Sequence, residues 1–210
     1  MLLAAGATLD EPRFRIVDSF FVEVLTATKE LMEQDFEGSH HSNARIPQTQ
    51  LATARVLFDR TDVGATMCQS ARRWLEKPIV PPSEDMIHGH TAWIWSTCRK
   101  LRQSYDAHAA DFVYQYHHGI HHIYWRYALS LGRPVIDPAR QLRWLTDASC
   151  RRALLMDDFP DGEFAERFAR ATTEGDRDEM IRHAEALAGR ALLQLGGFDV
   201  AEVRSIAARA

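Results

Sequence analysis

Residues 112–131 read Phe-Val-Tyr-Gln-Tyr-His-His-Gly-Ile-His-His-Ile-Tyr-Trp-Arg-Tyr-Ala-Leu-Ser-Leu, and they decide the fold class. At 100° per residue, Val113, Tyr116, Ile120, Ile123, Tyr124, Tyr127 and Leu131 fall within one sector of roughly 100°, the signature of an amphipathic helix with a buried aromatic face. Four imidazoles in six residues lower helix propensity, yet the apolar period survives them. Two HxxxH pairs result. His117 and His121 border the apolar sector, and His118 and His122 lie about 100° further round.

Working outward, the same period recurs with clear punctuation. Phe14, Val17, Phe21, Val24 and Leu31 carry it after Asp10-Glu11-Pro12, predicting a first helix that Gly38 stops, with Ser39-His40-His41-Ser42-Asn43 as the connection. Pro47 opens a second helix through Leu57-Phe58, and Asp62 a third that ends before Pro78. Glu84 to Leu131 is one long helical stretch, too long for a compact domain unless it breaks near Ser104. Beyond Gly132-Arg133-Pro134, starts at Asp137, Asp161 and Asp176 predict further helices, with Asp199 capping a last short one. Strand alternation is scarce. The chain is expected to be all-α, a His-rich helical bundle over residues 12–135 with a helical C-terminal extension over 136–210.

The composition narrows the function classes. The 210 residues carry a formal net charge of −4, which disfavours a general electrostatic grip on nucleic acid. No apolar run approaches a membrane span. Three scattered cysteines fit reduced thiols better than a disulfide framework and point to the cytoplasm. No glycine-rich phosphate loop, GxSxG elbow or HExxH motif is present.

Neutral histidine is the commonest side-chain ligand of transition metals, and HxxxH sets two imidazoles on adjacent turns. His117 and His121, beside the apolar face, are the preferred pair, with His118 and His122 as the alternative. Further ligands are expected from Glu37, His40 or His41, with Glu84, His88 and His90 also in the sequence neighbourhood of a helix start. Zinc, iron or nickel held this way would keep open positions for a small-molecule substrate. Tyr114 and Tyr124, one turn from the ligands, are the expected acid–base groups. Two other readings stand beside this metalloenzyme. One is a haem or non-haem iron oxygenase with Trp93, Trp95, Trp125, Trp144 and the tyrosines lining an aromatic pocket. The other is a non-catalytic protein whose His/aromatic helix meets a helical partner or a second copy in a homo-oligomer.

An early His40 or His41, the later His117/His121 pair, and the helix end Tyr127-Ala-Leu-Ser-Leu-Gly-Arg-Pro134 together resemble the DinB/YfiT-type metal-binding four-helix bundles. That resemblance covers at most residues 12–135. It implies a three-histidine metal centre in the bundle and no particular reaction.

Overall fold

The computed structural model describes residues 2–3, 13–17, 20–24, 26–42, 45–135 and 138–197. The fold is helical, as the periodicity predicts, and divides into two compact units, residues 1–80 and 81–210. The division falls at Val80/Pro81 rather than near residue 135, because the helices after Pro138 pack with the two long helices before it.

The first unit holds strands β1 (Leu2–Leu3), β2 (Arg13–Val17), β3 (Phe20–Val24) and β4 (Thr26–Ala27), then helices α1 (Lys29–His41), α2 (Ile46–Ala52) and α3 (Val63–Glu76). The predicted first helix is therefore corrected over its N-terminal half. β2 and β3 pair antiparallel, from Arg13 opposite Val24 to Val17 opposite Phe20, and β1 pairs parallel with β4. α1 begins instead at Thr28, whose hydroxyl accepts from the Leu31 N–H at 3.2 Å, and it continues through Gly38 to His41. A glycine inside a helix costs only about 1 kcal/mol, so Gly38 does not end it. His40 and His41 are thus helical rather than part of a connection.

α2 opens at Ile46 with Pro47 in its first turn, as expected, but ends at Ala52, leaving Leu57 and Phe58 exposed beyond it. Asp62 directly precedes α3, yet it is the Asp59 carboxylate that accepts from the Ala65 N–H, at 2.9 Å. Met32, Phe36, Leu51, Ala52, Met67 and Ala71 close a small core. Beside it Glu33 accepts hydrogen bonds from Ser70 and the Trp74 indole. Burial opposes its charge, but those two bonds, with Arg73 and Lys29 nearby, hold the carboxyl below its ordinary value.

The second unit contains α4 (Glu84–Asp106), α5 (Phe112–Ser130), α6 (Pro138–Thr146), α7 (Ala148–Ala153), α8 (Gly162–Thr173) and α9 (Arg177–Gln194). Ser83, Asp147, Asp161 and Asp176 each cap the following helix through a side-chain oxygen. The expected break near Ser104 occurs between Asp106 and Phe112. Glycines end the last two long apolar periods, Gly132 at φ 64° and Gly196 at φ 93°. The proposed helices starting at Asp10 and Asp199 begin on residues outside those described.

α5 runs through the centre of this unit against α4, α8 and α9. Tyr116, Ile120, Ile123, Tyr124 and Tyr127 are buried on its inward face, as the angular reading predicts, whereas Val113 is 42% exposed. Tyr127 packs on Phe164 with ring centroids 4.5 Å apart, and Tyr124 on Phe168 at 5.1 Å. Gly119 lets α4 approach, since a Cβ there would stand 2.7 Å from Leu101 Cδ1 and 3.1 Å from its Cγ. Leu101 is itself buried and has little room to yield. Gly119→Val is accordingly expected to cost about 1–3 kcal/mol through overpacking, read as a lower thermal midpoint; an unchanged midpoint would mean that α4 and α5 do not meet this closely.

Candidate functional site on helix α5

The histidine run spans two turns in the middle of α5. Because 3.6 residues complete a turn, its members point in different directions, and the structure distinguishes the two pairs. The imidazoles of His118 and His122 converge, with Nε2 atoms 3.2 Å apart and ring centroids 4.4 Å apart. His117 and His121 do not form such a contact. The His117 ring lies edge-on to Tyr116 at 5.2 Å, and His121 Nδ1 is 3.0 Å from Gln141 Oε1 on α6. The preferred pair of the sequence reading is therefore engaged elsewhere, and the alternative pair is the one whose nitrogens meet.

His118 is exposed and His122 half-buried. Desolvation, followed by the nearby His118, His121 and Arg126, lowers the pKa of His122 and favours its neutral form. Tyr114 stacks on His118 with centroids 6.3 Å apart and an interplanar angle of 16°. Trp125 lies against His122 at 5.9 Å, and the Arg126 guanidinium sits over both Trp125 and Trp93.

The two tyrosines expected as acid–base groups are on different faces. Tyr114 is 73% exposed beside the converging pair. Tyr124 is fully buried among Trp144, Phe159 and Phe168, and its burial pushes the phenol pKa well up. Its hydroxyl has no hydrogen-bond partner, and neither do the buried Gln141 Nε2 and Trp144 Nε1 atoms on the facing helix.

The remaining candidate ligands belong to the first unit or to α4. Glu37 and His41 are exposed on α1, where His41 Nδ1 lies 2.8 Å from the Glu37 carbonyl oxygen. His40 is buried with its Nδ1 unpartnered and its ring 5.4 Å from Trp74. Desolvation, with Arg45, Lys77 and His41 nearby, lowers its pKa. On α4, His90 Nδ1 contacts the Ser130 hydroxyl at 2.9 Å, deep in the second unit. Among the described residues, no three His, Cys, Asp or Glu side chains stand close enough together to hold one ion.

The expected aromatic pocket is not assembled. Tyr116, Tyr124, Tyr127 and Trp144 are core residues, while Trp93, Tyr114 and Trp125 face outward. Trp95 lines a groove of about 490 Å³ with Cys98, Arg99, Arg102, Glu185 and Leu192. Burial, with Glu185 adding to it, pushes the Cys98 thiol up to about 11 and favours its neutral form. A second cavity of about 520 Å³, in the first unit, lies among Leu51, Val56, Phe58, Val63 and Cys68. Neither cavity includes a residue of the histidine run. No helix among the described residues is long and apolar enough to cross a membrane.

No family model and no curated protein matches the chain. Among solved structures it is similar to the crystal structure of a nucleotidyltransferase-like protein from Exiguobacterium sibiricum 255-15. The identity is 13% and the TM-score 0.42, over 87% of this chain and 57% of that one. The chain thus spans little more than half the length of that structure.

Proposed function

We propose that this chain is a helical metal-binding protein that takes one divalent transition-metal ion on α5, through Nε2 of His118 and Nε2 of His122. The observation that carries this reading is the 3.2 Å approach of the two nitrogens. Bonds of about 2.0–2.1 Å at a tetrahedral angle place two imidazole donors about 3.3 Å apart. With both rings protonated at Nδ1, both Nε2 lone pairs are free to bind; without an ion, one ring N–H donates to the other ring. Imidazole suits zinc, copper, nickel and iron. A bound ion supplies Lewis-acid chemistry to whatever fills its other positions, water or a small-molecule substrate among them. Tyr114, stacked on His118, is the phenol at hand to orient such a molecule.

Zinc titration by calorimetry tests the assignment. His118→Ala and His122→Ala are each expected to weaken binding by at least the roughly 10–100-fold that loss of a mere supporting group costs. The His117→Ala/His121→Ala double variant is expected to bind as the wild type does. The reverse pattern would move the ion to the other HxxxH frame, and equal binding by all variants would remove it from α5.

A further inference from the structure

A half-buried guanidinium costs folding free energy unless an acceptor takes its N–H groups. Among the described residues of the second unit, the half-buried arginines other than Arg126 all have one. Arg102, Arg133, Arg151, Arg167 and Arg190 pair with carboxylates, and Arg177 donates to the Ala109 carbonyl oxygen. Arg126, half-buried on α5, makes no hydrogen bond or ion pair through its side chain with any described residue. Its Nε is buried without a partner, whereas Nη1 and Nη2 are not enclosed in that way. The guanidinium carbon stands 5.3 Å from the Trp93 ring centroid on α4 and 5.6 Å from that of Trp125. Rings from two helices thus hold the cation, and neither ring offers an oxygen to its N–H groups. Trp93 is 53% and Trp125 37% exposed, so apolar surface flanks the open end of the fork. The site carries a single positive charge. His90 and His122 both lie near Arg126, and both are shifted toward the neutral form, chiefly by burial.

We propose that Arg126 anchors a small aromatic carboxylate, donating from Nη1 and Nη2 to its two oxygens while the ligand's ring lies on an exposed indole of Trp93 or Trp125. A guanidinium fork matches a carboxylate in shape, two parallel N–H groups meeting two oxygens. A fork already held by its neighbours loses less freedom on binding than a mobile one. One positive charge with no other cation beside it balances a monoanion, which is what a carboxylate carries and a phosphate exceeds. The indoles then supply the apolar contact that a charged headgroup alone would lack. This site goes beyond the metal assignment and needs no ion, although it lies one helical turn past His122.

Calorimetric titration of the EDTA-treated full chain with sodium benzoate tests the anchor, with benzamide and acetate as comparisons. Benzoate is expected to bind and to change the tryptophan fluorescence. Benzamide, which has the ring without the charge, and acetate, which has the charge without the ring, are each expected to bind more weakly. Arg126→Gln is expected to lower benzoate affinity about tenfold or more, the loss that charge-assisted hydrogen bonds carry, while keeping the helical circular dichroism. Arg126→Lys, which keeps the charge but not the fork, is expected to fall between the two. Benzamide binding as tightly as benzoate would overturn the anchor on the wild type alone, even where a variant failed to fold. Full affinity in a folded Arg126→Gln would overturn it as well, and acetate equal to benzoate would overturn the assignment to an aromatic acid. Benzoate that binds only after zinc is added, and equally in Arg126→Gln, would overturn the anchor while leaving the metal site standing. Benzoate bound through Arg126 by a chain that takes no zinc would support the anchor and remove the metal.

Discussion

Replacing Asp161 with alanine is expected to lower folding stability by about 3 kcal/mol, measured by denaturant unfolding of the full chain. Asp161 is 8% exposed and every part of its carboxylate is used. Oδ1 accepts from the Phe164 N–H at 3.0 Å, capping α8, and from Arg190 Nη2 at 3.0 Å. Oδ2 accepts from Arg190 Nε at 2.9 Å and from the Tyr127 hydroxyl at 2.7 Å. One side chain therefore ties α8 to α9 and to the core helix α5. Loss of an N-cap costs about 1 kcal/mol, and loss of charge-assisted hydrogen bonds about 1.5–3 kcal/mol more. The upper end is moderated because Arg190 is a quarter exposed and keeps Glu163 at 2.8 Å. Tyr127→Phe removes only one of these bonds and is expected to cost about 1 kcal/mol. A loss below about 1 kcal/mol for Asp161→Ala would show that this junction does not hold the unit together.

The same group sets a pH dependence whose sign follows from its environment. Burial pushes the Asp161 carboxyl up, but Arg190, the Phe164 N–H and the Tyr127 hydroxyl together hold it below its ordinary value of 3.8. A carboxyl with a depressed folded-state pKa contributes fully above the unfolded-state value. That contribution is lost as pH falls through the lower folded-state value. Asp161→Asn is therefore expected to flatten the acid limb of the stability curve below about pH 4.

Asp161 was legible as a helix start because Asp161-Gly162 precedes an apolar period, but its partners Tyr127 and Arg190 were not. Each lies 29 or more residues away, and local spacing carries no information about such contacts. The second unit was readable for a physical reason: four of its helices start at a capping Ser or Asp, and its two helices α5 and α9 end at left-handed glycines, all local devices. The first unit misled because Phe14, Val17, Phe21 and Val24 satisfy a helical period. Yet Arg13–Val17 and Phe20–Val24 are also two β-branched and aromatic runs separated by two residues, Asp18-Ser19, a hairpin spacing. The choice between the histidine pairs depended on what stands opposite each. Gln141, 20 residues beyond His121, engages that ring and leaves His118 and His122 to each other.

Tyr124 separates a chemical role from a packing role, and its two substitutions are expected to move stability in opposite directions. Its ring is enclosed by Trp144, Phe159 and Phe168, so Tyr124→Ala is expected to cost about 3–5 kcal/mol, the range for emptying an aromatic core position. Tyr124→Phe keeps the ring and removes a hydroxyl that is buried without a partner. An unsatisfied buried polar group costs about 1–3 kcal/mol, so the phenylalanine variant is expected to be more stable than the wild type by about 1 kcal/mol. Zinc binding at His118 and His122 should be unaffected by it, since Tyr124 points into the core on the opposite side of α5. Chemical denaturation of both variants, with zinc titration of Tyr124→Phe, reads all three expectations. A destabilised Tyr124→Phe would mean that the hydroxyl has a partner, and the buried, unpaired Gln141 Nε2 and Trp144 Nε1 atoms on the facing helix are where a shared buried water would be sought.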